Sequence, residues 1–134
     1  MPKFHLQVIE NQLLADVFVF KNDDEGKPPI AVKVLFDTGA TRSCITAGLA
    51  KELALVPKSK IPITGVHGVR DCNVYKLKMG LPFPAPNRGM RVEVINEVEV
   101  SEIDDNPVWS MIVGMDIIQA GVLVVEGDNY IFSL

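Results

Sequence analysis

The chain has 134 residues, a hydrophobic fraction of 48% and a formal net charge of −4. This length supports one domain with a real core, spanning residues 1–134, and is too short for two lobes. An acidic balance with no clustered Lys or Arg argues against nucleic acid as a partner, and no run approaches the roughly 18 apolar residues of a membrane span. Met1-Pro2-Lys3-Phe4-His5-Leu6-Gln7 lacks an apolar core of signal-peptide length, so the expected location is the cytoplasm. Cys44 and Cys72 fit free thiols there better than a disulfide framework. With only His5 and His67 to join them, no zinc spacing arises. Neither metal nor cofactor is expected.

In chain order the pattern is mostly β. Phe4–Ile9 and Leu13–Phe20 read as strands with Asn11-Gln12 as the turn between them. Asn22-Asp23-Asp24-Glu25-Gly26-Lys27 is a polar loop, and Pro28-Pro29 delays the next strand, Ile30–Phe36. Thr46-Ala47-Gly48-Leu49-Ala50-Lys51-Glu52-Leu53 reads as a short helix with Thr46 as its N-cap. Ile61-Pro62-Ile63-Thr64-Gly65-Val66-His67-Gly68-Val69 reads as a hairpin tip, and Val69–Met79 as its return arm. The three prolines of Gly80-Leu81-Pro82-Phe83-Pro84-Ala85-Pro86-Asn87 argue against a central strand there, because each removes a ladder donor. Val92–Val100 alternates apolar and polar residues, as a half-exposed strand does. Met111-Ile112-Val113 is a further apolar strand ending at Gly114, followed by a short apolar helix. Gly121–Val125 and Tyr130–Leu134 flank Glu126-Gly127-Asp128-Asn129, a tight-turn sequence for a terminal hairpin.

One junction carries chemistry. The apolar run Val34-Leu35-Phe36 ends abruptly in Asp37-Thr38-Gly39-Ala40, delivering a carboxylate from the end of a buried strand into a tight turn. Burying a carboxyl group costs several kcal/mol unless it is compensated, so a sequence that places one there uses it. Thr38 offers a hydroxyl to backbone groups beneath the loop or to a partner loop. Gly39 permits positive φ and close approach of a second backbone. Ala40 is small enough to sit under the carboxylate.

In these residues, and in their order with the helix, the hairpin and the segment from Met111 to Asp116, the chain resembles the retropepsin-like aspartic proteases. The resemblance runs from about Val32 to the C-terminus. It implies an all-β, closed barrel-like fold with one or two short helices, active as a two-fold homodimer. Asp37, Thr38 and Gly39 correspond to the catalytic loop. Ala40, Thr64, Gly65, Val66, His67, Gly68, Ile112 and Val113 correspond to substrate-contacting positions, with residues 61–69 as a flap over an extended polypeptide. Asp116 matches a position that supports the loop and is not a second catalytic acid. Residue 42 is Arg, where a short acidic residue is common in the viral enzymes.

Aspartic proteolysis needs two carboxyl groups sharing a proton, and the chain holds one Asp-Thr-Gly. The expected active species therefore pairs Asp37 with Asp37 of a second copy. The expected activity is that of an aspartic endopeptidase. The alternative is a dimerisation or peptide-binding module that keeps the fold without efficient hydrolysis.

Overall fold

Period-two runs of Val, Leu, Ile and Phe dominate the chain, and each becomes a strand because one face of it is buried. A computed structural model describes residues 3–21, 28–65, 68–84, 89–127 and 129–134. Within them run β1 (Lys3–Ile9), β2 (Gln12–Phe20), β3 (Ile30–Phe36), β4 (Cys44–Thr46), α1 (Ala47–Glu52) and β5 (Ser59–Gly65). The chain continues with β6 (Gly68–Pro84), β7 (Met90–Ile103), β8 (Met111–Val113), α2 (Met115–Ile118), β9 (Val122–Glu126) and β10 (Asn129–Ser133).

Local signals place several of these as expected. Thr46 caps α1, its Oγ1 accepting the Leu49 N–H at 3.2 Å. β3 occupies the predicted range, and β9 and β10 pair as the terminal hairpin. The first turn lies one residue earlier than expected. Glu10 and Asn11 take φ of 52° and 63°, the paired left-handed residues of a two-residue hairpin, and this frees Gln12 to pair with Ile9.

The sheet order is β5-β6-β7-β4-β8-β3-β2-β1-β10-β9, and a further pairing of β6 with β2 closes the strands from β2 to β6 into a barrel. The fold is thus all-β and barrel-like, with two short helices among the described residues. Val17, Val19, Val34, Ile45, Leu77, Met79, Leu81, Met111 and Val113 fill the interior, each no more than 1% exposed. Phe36 packs edge-on to Phe132 with ring centroids 5.3 Å apart, and Phe4 packs edge-on to Phe83 at 5.8 Å. These rings anchor the C-terminal end of β3, directly before Asp37. No helix among the described residues is long and apolar enough to cross a membrane.

Two features differ from the sequence expectation. The proline-rich stretch does not stop the strand: β6 runs through Pro82 and Pro84, paired with Val92 and Met90 of β7, and buries Leu81 and Phe83 completely. The reason is the sheet's edge. Past Gly80, β6 pairs with β7 alone among the described residues, and Pro82 and Pro84, two residues apart, address the same edge.

The second difference is a bulge in β7. The register jumps from Leu77↔Val98 to Met79↔Ile95, and Glu97 takes φ 56°. The extra residue reverses which face the even-numbered positions occupy. Val98 and Val100 are buried, while Val92 and Val94 of the same alternation are exposed at 39% and 45%.

Candidate active site

The site is built by β3 and β8 lying side by side. β8 runs parallel to β3, pairing Phe36 with Val113, and antiparallel to β4, pairing Cys44 with Ile112. The chain therefore leaves β3, turns through residues 37–43 and returns as β4 on the far side of β8. The Asp37 N–H donates to the Val113 carbonyl at 3.0 Å, extending the parallel pairing to Asp37 itself.

Asp37 is half-buried, and its Oδ1 accepts the Gly39 N–H at 2.9 Å. This local Asx turn fixes the carboxylate relative to its own loop. Ala40 N–H closes the turn onto the Asp37 carbonyl at 3.1 Å, and the Ala40 carbonyl accepts the Met115 N–H at 2.8 Å. Gly39 does not use a positive φ. Its requirement is space, because a Cβ there would stand 3.2 Å from Asp37 Oδ1. Thr38 is exposed, and its hydroxyl has no hydrogen-bond partner among the described residues.

Beneath the loop lies a polar knot that local sequence reading does not reveal. Ser43 is completely buried. Its N–H and Oγ–H donate to Asp116 Oδ2 and Oδ1 at 3.0 and 2.8 Å, and its Oγ accepts the Gly114 N–H at 3.1 Å. Asp116 Oδ1 also accepts the Ile117 N–H at 3.0 Å. Asp116 is thus committed to holding the loop. Gly114 is needed for close approach: a Cβ would meet the Ala40 carbonyl oxygen and the Arg42 carbonyl at 2.8 Å. The clue in the sequence was the Gly-Met-Asp after the apolar strand, but nothing near Ser43 names its partner.

A cleft of about 920 Å³ opens beside the loop, lined by Gly39, Ala40, Thr41, Arg42, Cys44, Ile61, Pro62, Ile63, Thr64 and Ser101. It brings Gly39, Ala40 and Thr64 together, and Asp37 and Thr38 are not among its lining residues. Gly65 pairs with Gly68 at the hairpin end, where Gly68 takes φ 103°. Val66 and His67 lie outside the described residues. Ile112 is half-buried and Val113 fully buried, and neither lines the cleft. Arg42 and Cys44, which do, were not among the expected contact residues.

Burial, followed by the charges of Asp116, Cys72 and Asp37, pushes the Cys44 thiol above its ordinary range. It stays protonated at neutral pH and donates weakly to the Arg42 carbonyl, Sγ to O 3.6 Å. Among the described residues no group of three or more His, Cys, Asp or Glu is placed to hold a metal ion.

No family model matches this chain, and none of the curated proteins matches it in sequence. Solved structures do. A retropepsin-like aspartic protease from Rickettsia conorii, known from a crystal structure, aligns with a TM-score of 0.63 and 14% identity, covering 97% of this chain and 89% of its own. The Simian Foamy Virus (mac) protease, known from a solution structure, aligns with a TM-score of 0.51 and 17% identity, covering 79% and 91%. The barrel, the returning loop around β8 and these alignments lead to one statement: the chain has the retropepsin-like aspartic protease fold.

Proposed function

We propose that this protein is an aspartic endopeptidase that works as a two-fold homodimer. One observation carries the reading. Asp37 sits at the end of a buried strand, its carboxylate positioned by the Gly39 N–H at 2.9 Å, and the loop it opens lines an open cleft from Gly39 onward. A structural carboxylate in this fold is already provided by Asp116, which spends both oxygens on the loop. Asp37 makes no comparable commitment, which leaves it available for chemistry.

The chemistry follows from a pair of such groups. With Asp37 of two protomers facing each other, one carboxylate takes a proton from a water molecule, and the resulting hydroxide attacks the peptide carbonyl carbon. The other carboxyl group, protonated, gives its proton to the carbonyl oxygen. The tetrahedral diol then collapses: the C–N bond breaks, the departing nitrogen takes a proton from one carboxyl group, and a diol hydroxyl gives its proton to the other carboxylate, which restores the singly protonated dyad. The exposed Thr38 supplies a hydroxyl for the partner loop across the axis. The exposed Val122, Val124 and Val125 on β9, the end strand of the sheet, give a second copy apolar surface to cover.

The substrate is an extended polypeptide. β5 is the outer strand at the other end of the sheet, and Ile61–Thr64 of it line the cleft, so a peptide there gains main-chain pairing. The hairpin of β5 and β6 closes over it as a flap.

The test is Asp37→Asn against a panel of peptides and an unfolded protein, with sedimentation to follow assembly. Hydrolysis is expected to disappear while the fold and assembly persist, and a peptide carrying a hydroxyl at the scissile position should bind wild type far more tightly than the variant. Undiminished hydrolysis by the Asn variant overturns the reading. Peptide binding without any hydrolysis by wild type favours the binding-module alternative.

A further inference from the structure

Among the described residues lining the cleft, Arg42 is the only one with a charged side chain. The others are glycine, small or branched apolar residues, proline, hydroxyls and the Cys44 thiol. Arg42 is exposed, and it forms no ion pair with any of the described residues. An adjoining smaller pocket of about 220 Å³ brings Arg42 beside Glu99, Ser101 and Asp116, and both of these carboxylates are engaged elsewhere. Glu99 pairs with Lys58 at 3.4 Å, and Asp116 holds Ser43 through both oxygens. The Arg42 backbone is fixed at the same time, its carbonyl accepting the Cys44 thiol and packing against Gly114. Arg42 is therefore an exposed cation on a loop segment held through its backbone, five residues after Asp37, with no carboxylate among the described residues paired to it.

We propose that Arg42 is a specificity-determining residue that selects substrates carrying an Asp or Glu side chain close to the scissile bond. This rests on the endopeptidase reading. A guanidinium offers a planar fork of donors that matches a carboxylate in two parallel hydrogen bonds, which a glutamine cannot match with charge. An extended peptide turns alternate side chains to opposite faces, so the preference belongs to single positions and not to acidic peptides in general. The net charge of −4 works against acidic peptides at long range, which makes a position-specific gain from Arg42 readable above that background. In a two-fold dimer each protomer contributes one Arg42, giving one such position on either side of the cleaved bond.

The experiment scans a peptide that wild type cleaves, placing Glu, Gln or Lys at each position flanking the scissile bond and measuring kcat/KM at low ionic strength. Glu is expected to exceed Gln by about tenfold at one or two positions, the size of one charge-assisted hydrogen bond, and by less as salt is added. Arg42→Gln should bring that ratio close to one, Arg42→Glu should turn the preference to Lys, and Arg42→Lys should keep a reduced preference for Glu. Equal cleavage of Glu and Gln peptides at every position by wild type overturns the proposal, as does a Glu preference that survives Arg42→Gln. Should wild type cleave nothing, the endopeptidase reading fails and Arg42 is judged separately by fluorescence anisotropy of the same labelled peptides with a hydroxyl replacing the scissile carbonyl. Tighter binding of Glu than Gln, lost in Arg42→Gln, upholds the Arg42 assignment; equal binding, or none, overturns it.

Discussion

Ser43 and Asp116 stand 73 positions apart in the chain, yet Asp116 Oδ1 accepts the Ser43 hydroxyl at 2.8 Å and Oδ2 accepts the Ser43 N–H at 3.0 Å. Through Ser43 Oγ the Gly114 N–H joins the same knot at 3.1 Å. The loop that carries Asp37 is therefore tied at its far end to the first turn of α2.

Asp116→Ala removes both acceptors from a completely buried serine. The expected loss is about 1–3 kcal/mol of stability, the cost of stranding buried donors, read as a lower urea midpoint at unchanged slope. Asp116→Asn keeps one acceptor and should lose less. A midpoint unmoved by either change would show that the knot is not holding the loop. If hydrolysis is present, it should fall in the same order, since the loop positions Asp37.

Gly114→Ala tests space alone. Its φ of −96° suits any residue, so strain in the backbone angle plays no part. The added Cβ would stand 2.8 Å from main-chain atoms of Ala40 and Arg42, which cannot rotate away as a side chain does. Destabilisation of about 1–3 kcal/mol is expected from overpacking, measured by thermal or urea unfolding. Gly68→Ala is the contrast, since nothing lies within 4 Å of its Cβ position and its φ of 103° alone opposes the substitution.

Cys44 should react slowly. Burial, then the negative charges around it, raise the thiol above its ordinary range, so less thiolate is present at a given pH than in an unfolded chain. In a Cys72→Ser background, alkylation by iodoacetamide is expected to lag a free-cysteine peptide at pH 8 and to approach it as the pH rises. The linkage has a definite sign. A raised thiol favours the folded state below the unfolded thiol's range, and that contribution disappears as pH climbs through the folded value. Asp116→Asn removes the second-largest cause and should speed the reaction. Alkylation as fast as that of the peptide at pH 8 would contradict this.

Assembly should appear in the kinetics. Because the chain holds one Asp-Thr-Gly, each protomer supplies half of the proposed dyad. Specific activity should therefore fall on dilution through the dissociation range of the dimer, in step with its sedimentation coefficient. Full specific activity from a monomer would require a second acid from within the chain.

The sequence by itself determined the elements whose signals are local. Thr46 names its helix because a hydroxyl just before a run of good helix formers can cap only the turn that follows. The apolar run into Asp37-Thr38-Gly39, and the run into Gly114, mark the strand ends because periodicity and glycine act within a few residues. The retropepsin-like fold was legible from the order of these pieces. The tertiary structure alone decided which edge each strand exposes and which distant groups meet. Pro82 and Pro84 stay in β6 because the pairing of β6 with β2 stops at Gly80, a fact about another strand. The bulge at Glu97 sends Val94 outward and Val98 inward although both have the same parity, since register is set by the partner Leu77–Met79. Ser43 finds Asp116, and Arg42 finds an open cleft, only when β8 slots between β3 and β4. Contacts of that kind depend on chain closure over many residues, and no local pattern encodes them.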